Sequence, residues 1–448
     1  MAAGQFPENT HNPPGYPVML LLLSRLTGDH FTSGKWLALA SAALVGLATF
    51  FLFRRVFGEG PALLAVPMLL LSGEFTKYAV EATTDVPFLA LCLAAVLVIT
   101  DERMGDSPRA LATGILCGLA YLVRYNGVFL LVPGLLAVVW TRDPGWRRLA
   151  LGILFLLSAL VTVSPWLWLN SKHHGSAFHA SNYRDFATAL YGIEEGAAPL
   201  GDLVRADPWR FAGRYVRHVG STWMRTIGSS LALLPVGPLA VLGIALSLAR
   251  ARRRSLVLVL VAGLAYLLLM SLIHWESRYL FFVLVCYCGL AAFAIFELAR
   301  WVGRALGSMV AGMAVIASLA LIILTPSAQR AWTRVGNTVR AQPLEVIPAA
   351  RFLDRVAPPH AVIMAPKPHI AYLSHRAWRR IPGSTSIEDL RAKLEGQRVD
   401  YLVYDRMGLR MYRPLSTLAT PDKAVPWLTP IYQDSVGGLV IYAVDRPS

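Results

Sequence analysis

Two carboxylates four residues apart stand between two apolar runs of this sequence. Glu81 and Asp85 would share one face of a helical turn, where such a pair can hold a divalent cation or act as general base on an acceptor hydroxyl. Lys77 and Tyr78 precede them. The alternative is a solvated loop in which Lys77 pairs with Glu81. Because a carboxylate at the membrane edge is costly, the sequence favours a functional role for Asp85, the deeper acid.

Arginines at the ends of apolar runs are the second group that could do chemistry. Arg124 follows one such run, and a later run is preceded by the residues His274–Trp275–Glu276–Ser277–Arg278–Tyr279. A guanidinium can hold a phosphate through two parallel hydrogen bonds. The alternative is an arginine that reaches the membrane surface and pairs with Glu276 within a Trp/Tyr belt. We therefore predict substrate binding by Arg124, Glu276, Arg278 and Tyr279.

A proline-rich segment near residue 15 supplies the remaining candidates. His11 and Asn12 precede Pro13–Pro14–Gly15–Tyr16–Pro17, whose prolines fix the chain direction and remove backbone donors. His11, Asn12, Tyr16 and Tyr78 are candidate substrate-binding residues, or the segment is a helix-start turn with an interfacial tyrosine. His173, His174 and His179 lack a clean ligand spacing, so metal ligands stay unassigned and a divalent cation stays an open alternative.

Apolar helices must position these residues. The 448 residues are 55% hydrophobic and 15% charged, with a mean hydropathy of +0.51, which exceeds what an ordinary soluble domain carries. We predict a polytopic, mainly α, transmembrane bundle of about ten spans. The predicted spans lie near 35–53, 61–75, 86–100, 109–123, 125–140, 149–169, 229–249, 255–273, 279–299 and 305–325.

Arginine distribution gives the predicted orientation. The net charge of +15 comes from short clusters between apolar runs, not from one basic domain, so nucleic acid is not an expected partner. By the positive-inside rule the arginine-rich loops face the cytoplasm of a plasma (inner) membrane protein. These loops contain Arg54 and Arg55, Arg103 and Arg109, Arg142, Arg147 and Arg148, Arg250 and Arg252 to Arg254, and Arg300 and Arg304. Every candidate residue then lies on the outer side.

Three segments follow from this layout. Residues 1–34 form an outer loop with an interfacial helix at 15–27, and 35–325 form the membrane domain with a long outer loop at 170–228. Residues 326–448 form an extracytoplasmic α/β domain, with strands at 361–365, 399–404 and 439–444 and helices at 345–356 and 387–394. Ser386 is the expected cap of the second helix. No nucleotide-binding fingerprint occurs in the sequence.

The loop 170–228 contains an amphipathic helix by its spacing. Trp209, Val216 and Trp223 recur at helical intervals beside an arginine stripe that includes Arg210 and Arg217. The helix could float on anionic lipid or roof a lipid-phosphate site.

These residues together resemble the large-fold (GT-C type) membrane glycosyltransferases that use polyprenyl-phosphate sugars, including protein O-mannosyltransferases and the lipid A aminoarabinose transferase. The resemblance covers most of 11–325. It rests on Pro13 to Tyr16, on Asp85 with Pro87, on Arg124, and on Glu276 to Tyr279. His11–Asn12 stands where the aminoarabinose transferase has a Glu–Lys pair, and the family's first span and the Asp after it have no counterpart. We therefore expect the natural chain to begin with one further span.

The resemblance implies an outer catalytic pocket, a lipid-borne donor and an acidic base. We expect a hexosyl- or pentosyltransferase that moves a sugar from a polyprenyl-phosphate donor to a lipid, glycan or protein acceptor, with Asp85 and Glu81 as catalytic acids and no nucleotide cofactor. One rival is a transporter or flippase of lipid-linked saccharide, although transport sites lie nearer the bilayer midplane. The other is an inactive relative that only binds the lipid-linked sugar.

Overall fold

The computed structural model describes residues 12–141, 144–180, 190, 200–228, 231, 235–248, 254–394, 397–421, 425–434 and 438–445. The chain forms two compact units, one ending at Asn337 and the other running from Thr338 to Ser448. The first is helical and the second contains a small sheet. The predicted mainly helical chain with a C-terminal α/β region is thereby confirmed.

Fourteen α-helices are described in the first unit, and two short 3₁₀ turns at Tyr125–Leu130 and Ser277–Leu280 precede the seventh and thirteenth. In order they are α1 Gly15–Thr27, α2 His30–Phe57, α3 Glu59–Leu70, α4 Gly73–Ala79, α5 Asp85–Ile99, α6 Asp106–Val123, α7 Leu131–Val139, α8 Gly145–His174, α9 Leu200–Ala206, α10 Pro208–Ile227, α11 Val236–Leu248, α12 Arg254–Met270, α13 Phe281–Ala305 and α14 Met309–Arg340.

Each predicted span has a helix at its position, although the number that cross the membrane stays a prediction. Within the described residues four helices are long and apolar enough to cross by length and composition, namely His30–Phe57, Gly145–His174, Ser277–Ala305 and Met309–Arg340. Six shorter apolar helices accompany them. The predicted helix at 15–27 is α1, and Gly28 ends it with a φ of 84°, a conformation that favours glycine.

Close helix contacts fix the inner part of this unit. On α6, a Cβ at Gly114 would lie 1.9 Å from the Ser158 hydroxyl oxygen of α8, and one at Gly118 would lie 2.6 Å from Cβ of Thr162. Larger side chains would therefore force α6 away from α8. Helix α13 is also buried along most of its length. These contacts hold the ends of α5 and α6 where the candidate residues lie.

The last long helix differs from the prediction. The sequence predicts a span that ends before Pro326, but α14 continues to Arg340 with Pro326 inside it. Proline removes one backbone donor and usually kinks a helix. The following residues, Ser-Ala-Gln-Arg-Ala-Trp, include good helix formers, so the helix resumes after one missing hydrogen bond.

The amphipathic helix predicted in the loop 170–228 is present as α10. Its N-terminus is capped by Asp207, whose side chain accepts a hydrogen bond of 2.9 Å from the backbone N–H of Arg210. Trp209 is 86% exposed and Met224 67% exposed. The helix therefore presents large apolar side chains outward, as an interfacial helix does.

The second unit is a five-stranded mixed sheet with helices. Its strands, in the order β2-β1-β3-β5-β4, have β1 parallel to β2 and β3, and β5 antiparallel to β3 and β4. The strands are β1 Val362–Ala365, β2 Ala377–Arg380, β3 Tyr401–Tyr404, β4 Leu428–Gln433 and β5 Val440–Val444. The helices are α15 Val346–Val356, α16 His369–Leu373, α17 Ile387–Leu394 and α18 Arg406–Met411, followed by a 3₁₀ turn at Arg413–Ala419.

The three predicted strands and two predicted helices of this unit are confirmed. Ser386 caps α17, because its hydroxyl accepts a 3.1 Å hydrogen bond from the backbone N–H of Asp389. Sequence reasoning missed β2 and β4. The first is exposed along its length and rich in arginine, and the second contains Pro430, so neither shows a buried alternating pattern.

Candidate active site

The centre of the site is an ion pair between the ends of two antiparallel helices. Asp85 begins α5, and Arg124 directly follows α6 in extended conformation. Arg124 Nη1 donates to Asp85 Oδ1 and also to Thr84 Oγ1 at 3.2 Å. The side chain of Asp85 is 3% exposed and that of Arg124 is 14% exposed. Such desolvated charges depend on each other, because either one alone would be buried without a partner.

The guanidinium of Arg124 retains unused hydrogen-bond donors. Its bonds to other described side chains both leave from Nη1. A guanidinium carries five N–H groups, so those on Nε and Nη2 remain for an anionic ligand. One cation can thus hold the Asp85 carboxylate and a phosphate at the same time.

A second cation, Arg278, lies against the ring of Tyr279, which Arg124 also contacts. Arg278 Nε donates to Glu276 Oε2, and Arg278 Nη2 donates to the Tyr279 hydroxyl at 3.2 Å. The guanidinium carbons of Arg124 and Arg278 each lie 4.9 Å from the Tyr279 ring centroid. They are therefore at most twice that distance apart. Two cations beside one ring suit a multiply charged anion better than a single arginine would.

Glu276 links this turn to His274, whose Nε2 lies 3.5 Å from Glu276 Oε1. The sequence alternative in which Arg278 pairs with Glu276 is therefore observed. The pair is about one third exposed, so its partners can still exchange with a ligand.

Glu81 does not share a helical turn with Asp85, and this prediction is wrong. Helix α4 ends at Ala79 and α5 begins at Asp85, with bends between them. Val80, Thr83 and Thr84 are β-branched and lower helix propensity there. Lys77 Nζ lies 3.9 Å from Glu81 Oε1, which is the pairing of the solvated-loop alternative. Burial still raises the pKa of Glu81.

Tyr78 shows that the predicted residues converge. Burial raises its pKa to about 12, and its hydroxyl lies within electrostatic range of Arg278, Asp85, Glu81 and Glu276. Its helix, α4, is held to α14 by an ion pair between Glu74 and Arg334. The structure therefore brings together residues that are almost two hundred positions apart in the sequence.

The proline-rich segment contributes one residue to this cluster. Tyr16 is buried, lies within electrostatic range of Asp85, and has a hydroxyl with no hydrogen-bond partner among the described residues. Asn12 is exposed, and no hydrogen bond in the described part of the chain connects it to the site. His11 lies outside the described residues.

Three site residues escaped the sequence reasoning. Thr84 accepts from Arg124, Phe88 lies 6.0 Å from the Arg124 guanidinium carbon, and Tyr266 donates a 2.6 Å hydrogen bond to the Tyr279 backbone carbonyl. Tyr266 could have been found, because a lone hydroxyl in an apolar span needs a buried partner. Thr84 and Phe88 could have been suspected as site residues only because they are close to Asp85 in the sequence.

The described residues contain no group of three or more His, Cys, Asp or Glu side chains that could hold a metal ion. Asp85 is paired with Arg124, Glu276 with Arg278, and Glu81 lies beside Lys77. The arrangement therefore presents cations that could receive an anion, with carboxylates behind them.

Comparisons with known proteins show what the chain is similar to. Residues 11–169 match the family described as Dolichyl-phosphate-mannose-protein mannosyltransferase. ArnT from Cupriavidus metallidurans has a similar structure, with a TM-score of 0.59 and 15% identity over 98% of this chain and 89% of that protein. The chain resembles the GT-C type membrane glycosyltransferases, as the sequence predicts. No curated protein matches it.

Two further structures of this type hold a lipid phosphate. ArnT bound to undecaprenyl phosphate has a TM-score of 0.54 and 16% identity, over 98% of this chain and 90% of that one. The oligosaccharyltransferase AglB from Archaeoglobus fulgidus, in complex with an inhibitory peptide and a dolichol-phosphate, has a TM-score of 0.60 and 13% identity over 98% of this chain and 66% of that one. At these identities the likeness establishes the fold, and residue roles must be argued from the site itself.

Proposed function

We propose that this chain transfers a sugar from a polyprenyl-phosphate donor to an acceptor on the outer face of the membrane. The observation that carries the proposal is the pair of guanidinium groups beside Tyr279, one of which also holds Asp85. A phosphate is a suitable ligand for two arginines that lie beside one ring. The family match and the lipid phosphates named with ArnT and AglB support the same donor class. The acceptor is a lipid, a glycan or a protein.

In the proposed reaction the donor phosphate is the leaving group. The acceptor hydroxyl oxygen forms a bond to the anomeric carbon while the bond from that carbon to the phosphate oxygen breaks. The free N–H groups of Arg124, together with Arg278, bind the phosphate and stabilise the charge that it gains. Attack from the face opposite the phosphate inverts the configuration at that carbon.

Asp85 is the proposed base for the acceptor proton. Its Oδ1 accepts from Arg124, so Oδ2 is the oxygen that can take a proton. The acceptor must then approach between Asp85 and the sugar. Glu81 is the second catalytic acid of the proposal, and its partial burial, its raised pKa and its position near Tyr78 fit a group that shares or relays this proton.

Transfer from a radiolabelled polyprenyl-phosphate sugar in membranes tests the proposal. Asp85→Asn keeps the shape of the side chain and removes its basicity, so we expect turnover to fall by at least about 100-fold. Helical content and donor binding should persist, because the amide oxygen can still accept from Arg124. Wild-type turnover by Asp85→Asn would remove Asp85 from this role.

Glu81→Gln is the matched comparison. A shared or relayed proton predicts a smaller loss of turnover, and unchanged turnover would leave Asp85 as the sole acid. If wild-type protein binds the donor lipid but transfers no sugar to any acceptor class, the inactive sugar-binding relative replaces the proposed enzyme.

A further inference from the structure

A cavity lined by described residues lies far from the candidate active site. It has a volume of about 1570 Å³ and is lined by the C-terminal ends of α2 and α5, the loop 101–105 and the N-terminal ends of α6 and α12. Helix α5 begins at Asp85 in the candidate site and ends at Ile99 beside this cavity. Fifteen helical residues span about 22 Å, so the two places are at opposite ends of the same helices.

Arginines dominate the polar wall of the cavity. Five line it, together with three acidic residues. Two of the five are engaged by the protein. Arg55 lies 3.3 Å from Asp101 and donates to the Leu97 carbonyl at 2.7 Å, and Arg109 pairs with Asp106. These two fix the loop between α5 and α6.

The other three arginines, Arg54, Arg103 and Arg254, form no ion pair with a carboxylate in the part of the chain that the structure describes. Arg254 is half-buried and donates to the Ala137 carbonyl at 2.6 Å. Its Nε is buried without a hydrogen-bond partner among the described residues. A buried donor without a partner is costly, and a ligand at this place would satisfy it.

The wall holds charges of both signs. Arg254 lies within electrostatic range of Arg109, which is itself buried, and of the Glu102 and Asp106 carboxylates. Five arginines against three carboxylates leave the wall with an excess of positive charge, which a bound anion would offset.

We propose that this cavity binds an anion with a phosphate group, and that the headgroup of a membrane lipid supplies it. Arginine forks match phosphate oxygens, and basic pockets between membrane helices are a known form of lipid-headgroup site. Two lining side chains, Phe51 and Trp140, are 50% and 41% exposed and give the cavity an apolar edge for acyl chains. The proposal is independent of sugar transfer, because it uses the opposite ends of the helices.

The test measures binding to the purified full-length chain in uncharged detergent by native mass spectrometry. The probes are dioctanoyl phosphatidylglycerol, inorganic phosphate, and dioctanoylglycerol as the lipid without a phosphate. We expect the phosphatidylglycerol to bind, and Arg254→Gln to weaken it by about tenfold or more, since it removes charge-assisted hydrogen bonds. Arg103→Gln is a second variant at an exposed position of the wall, and it should weaken binding as well.

One control locates the site. Arg304→Gln changes an exposed arginine outside the cavity wall, so it should bind the probe as wild type does. If inorganic phosphate competes with the bound phosphatidylglycerol, the site receives the headgroup. If phosphate binds and the phosphatidylglycerol does not, free phosphate is the occupant, and the lipid part of the proposal is wrong. Equal binding by wild type, Arg254→Gln and Arg103→Gln, or equal binding of dioctanoylglycerol, would overturn the proposal.

Discussion

The ion pair between Asp85 and Arg124 makes a quantitative prediction about stability. The side chains are 3% and 14% exposed, so solvent screens them little and each depends on the other for its charge. Replacing Asp85 by leucine should cost about 3–5 kcal/mol of unfolding free energy, because a buried guanidinium then lacks its carboxylate. Replacing Arg124 by methionine should cost a similar amount for the converse reason.

The double variant Asp85→Leu/Arg124→Met should recover most of that loss. Buried ion pairs replaced by apolar side chains of similar volume are often neutral in stability, so we expect the double variant within about 2 kcal/mol of wild type. The remaining cost includes the contact of Arg124 with the Tyr279 ring, worth about 0.5–2 kcal/mol. Two single losses of about 3 kcal/mol or more and a double loss of about 2 kcal/mol or less give a coupling energy of at least about 4 kcal/mol.

Reversible unfolding in mixed detergent micelles, followed by circular dichroism, measures the four free energies. The exposed pair Asp202–Arg205, 3.3 Å apart with side chains 57% and 84% exposed, is the matched control. Its coupling should stay below about 1 kcal/mol. Additive losses at Asp85 and Arg124, within about 0.5 kcal/mol, would refute the inference that these charges are buried against each other.

Three further predictions concern orientation, donor binding and pH. Alkaline phosphatase fused after Ser448 should be active and a fusion at Arg253 inactive, and the reverse pattern would invert the proposed topology. Arg278→Lys should weaken binding of a polyprenyl phosphate about tenfold or more, since lysine cannot form the two-pronged contact, and unchanged affinity would exclude Arg278 from the phosphate site. The raised pKa of Glu81 means that the folded state holds its proton more tightly, so this residue should lower stability as pH rises from its ordinary value of 4.5 through the raised one. Glu81→Gln should flatten the stability profile above about pH 4.5, and an unchanged slope there would contradict the assignment.

The helices and the general position of the site could be read from the sequence. Apolar runs separated by short loops require neighbouring antiparallel helices, so an acid that begins one span and a cation that ends the next must lie at the same end. That argument places Asp85 and Arg124 on one side. It cannot give their contact, which depends on the rotation of α5 against α6.

Packing sets that rotation. The approach of α6 to α8 at Gly114 is so close that a single methyl group would clash with Ser158, and no local pattern announces which glycine faces which helix. The prediction that Glu81 and Asp85 share a helical turn was wrong for a related reason. Residues four positions apart face the same side only inside a helix, and no helix connects these two. The cavity beside Arg254 is likewise lined by the end of α2, the connection between α5 and α6, and the start of α12, which are separate parts of the sequence.

The position of the Asp85–Arg124 pair explains its presence better than stability does. A buried ion pair contributes little net stability compared with an apolar pair of the same volume, so packing alone gives no reason to place charges there. Placement does. The Asp85 carboxylate holds Nη1 of Arg124 and so orients this guanidinium over the Tyr279 ring. The Nε and Nη2 atoms of Arg124 form no hydrogen bond with other described side chains. A phosphate that binds these free donors would reach a cation already held in position, beside the carboxylate that receives the acceptor proton in the proposed reaction.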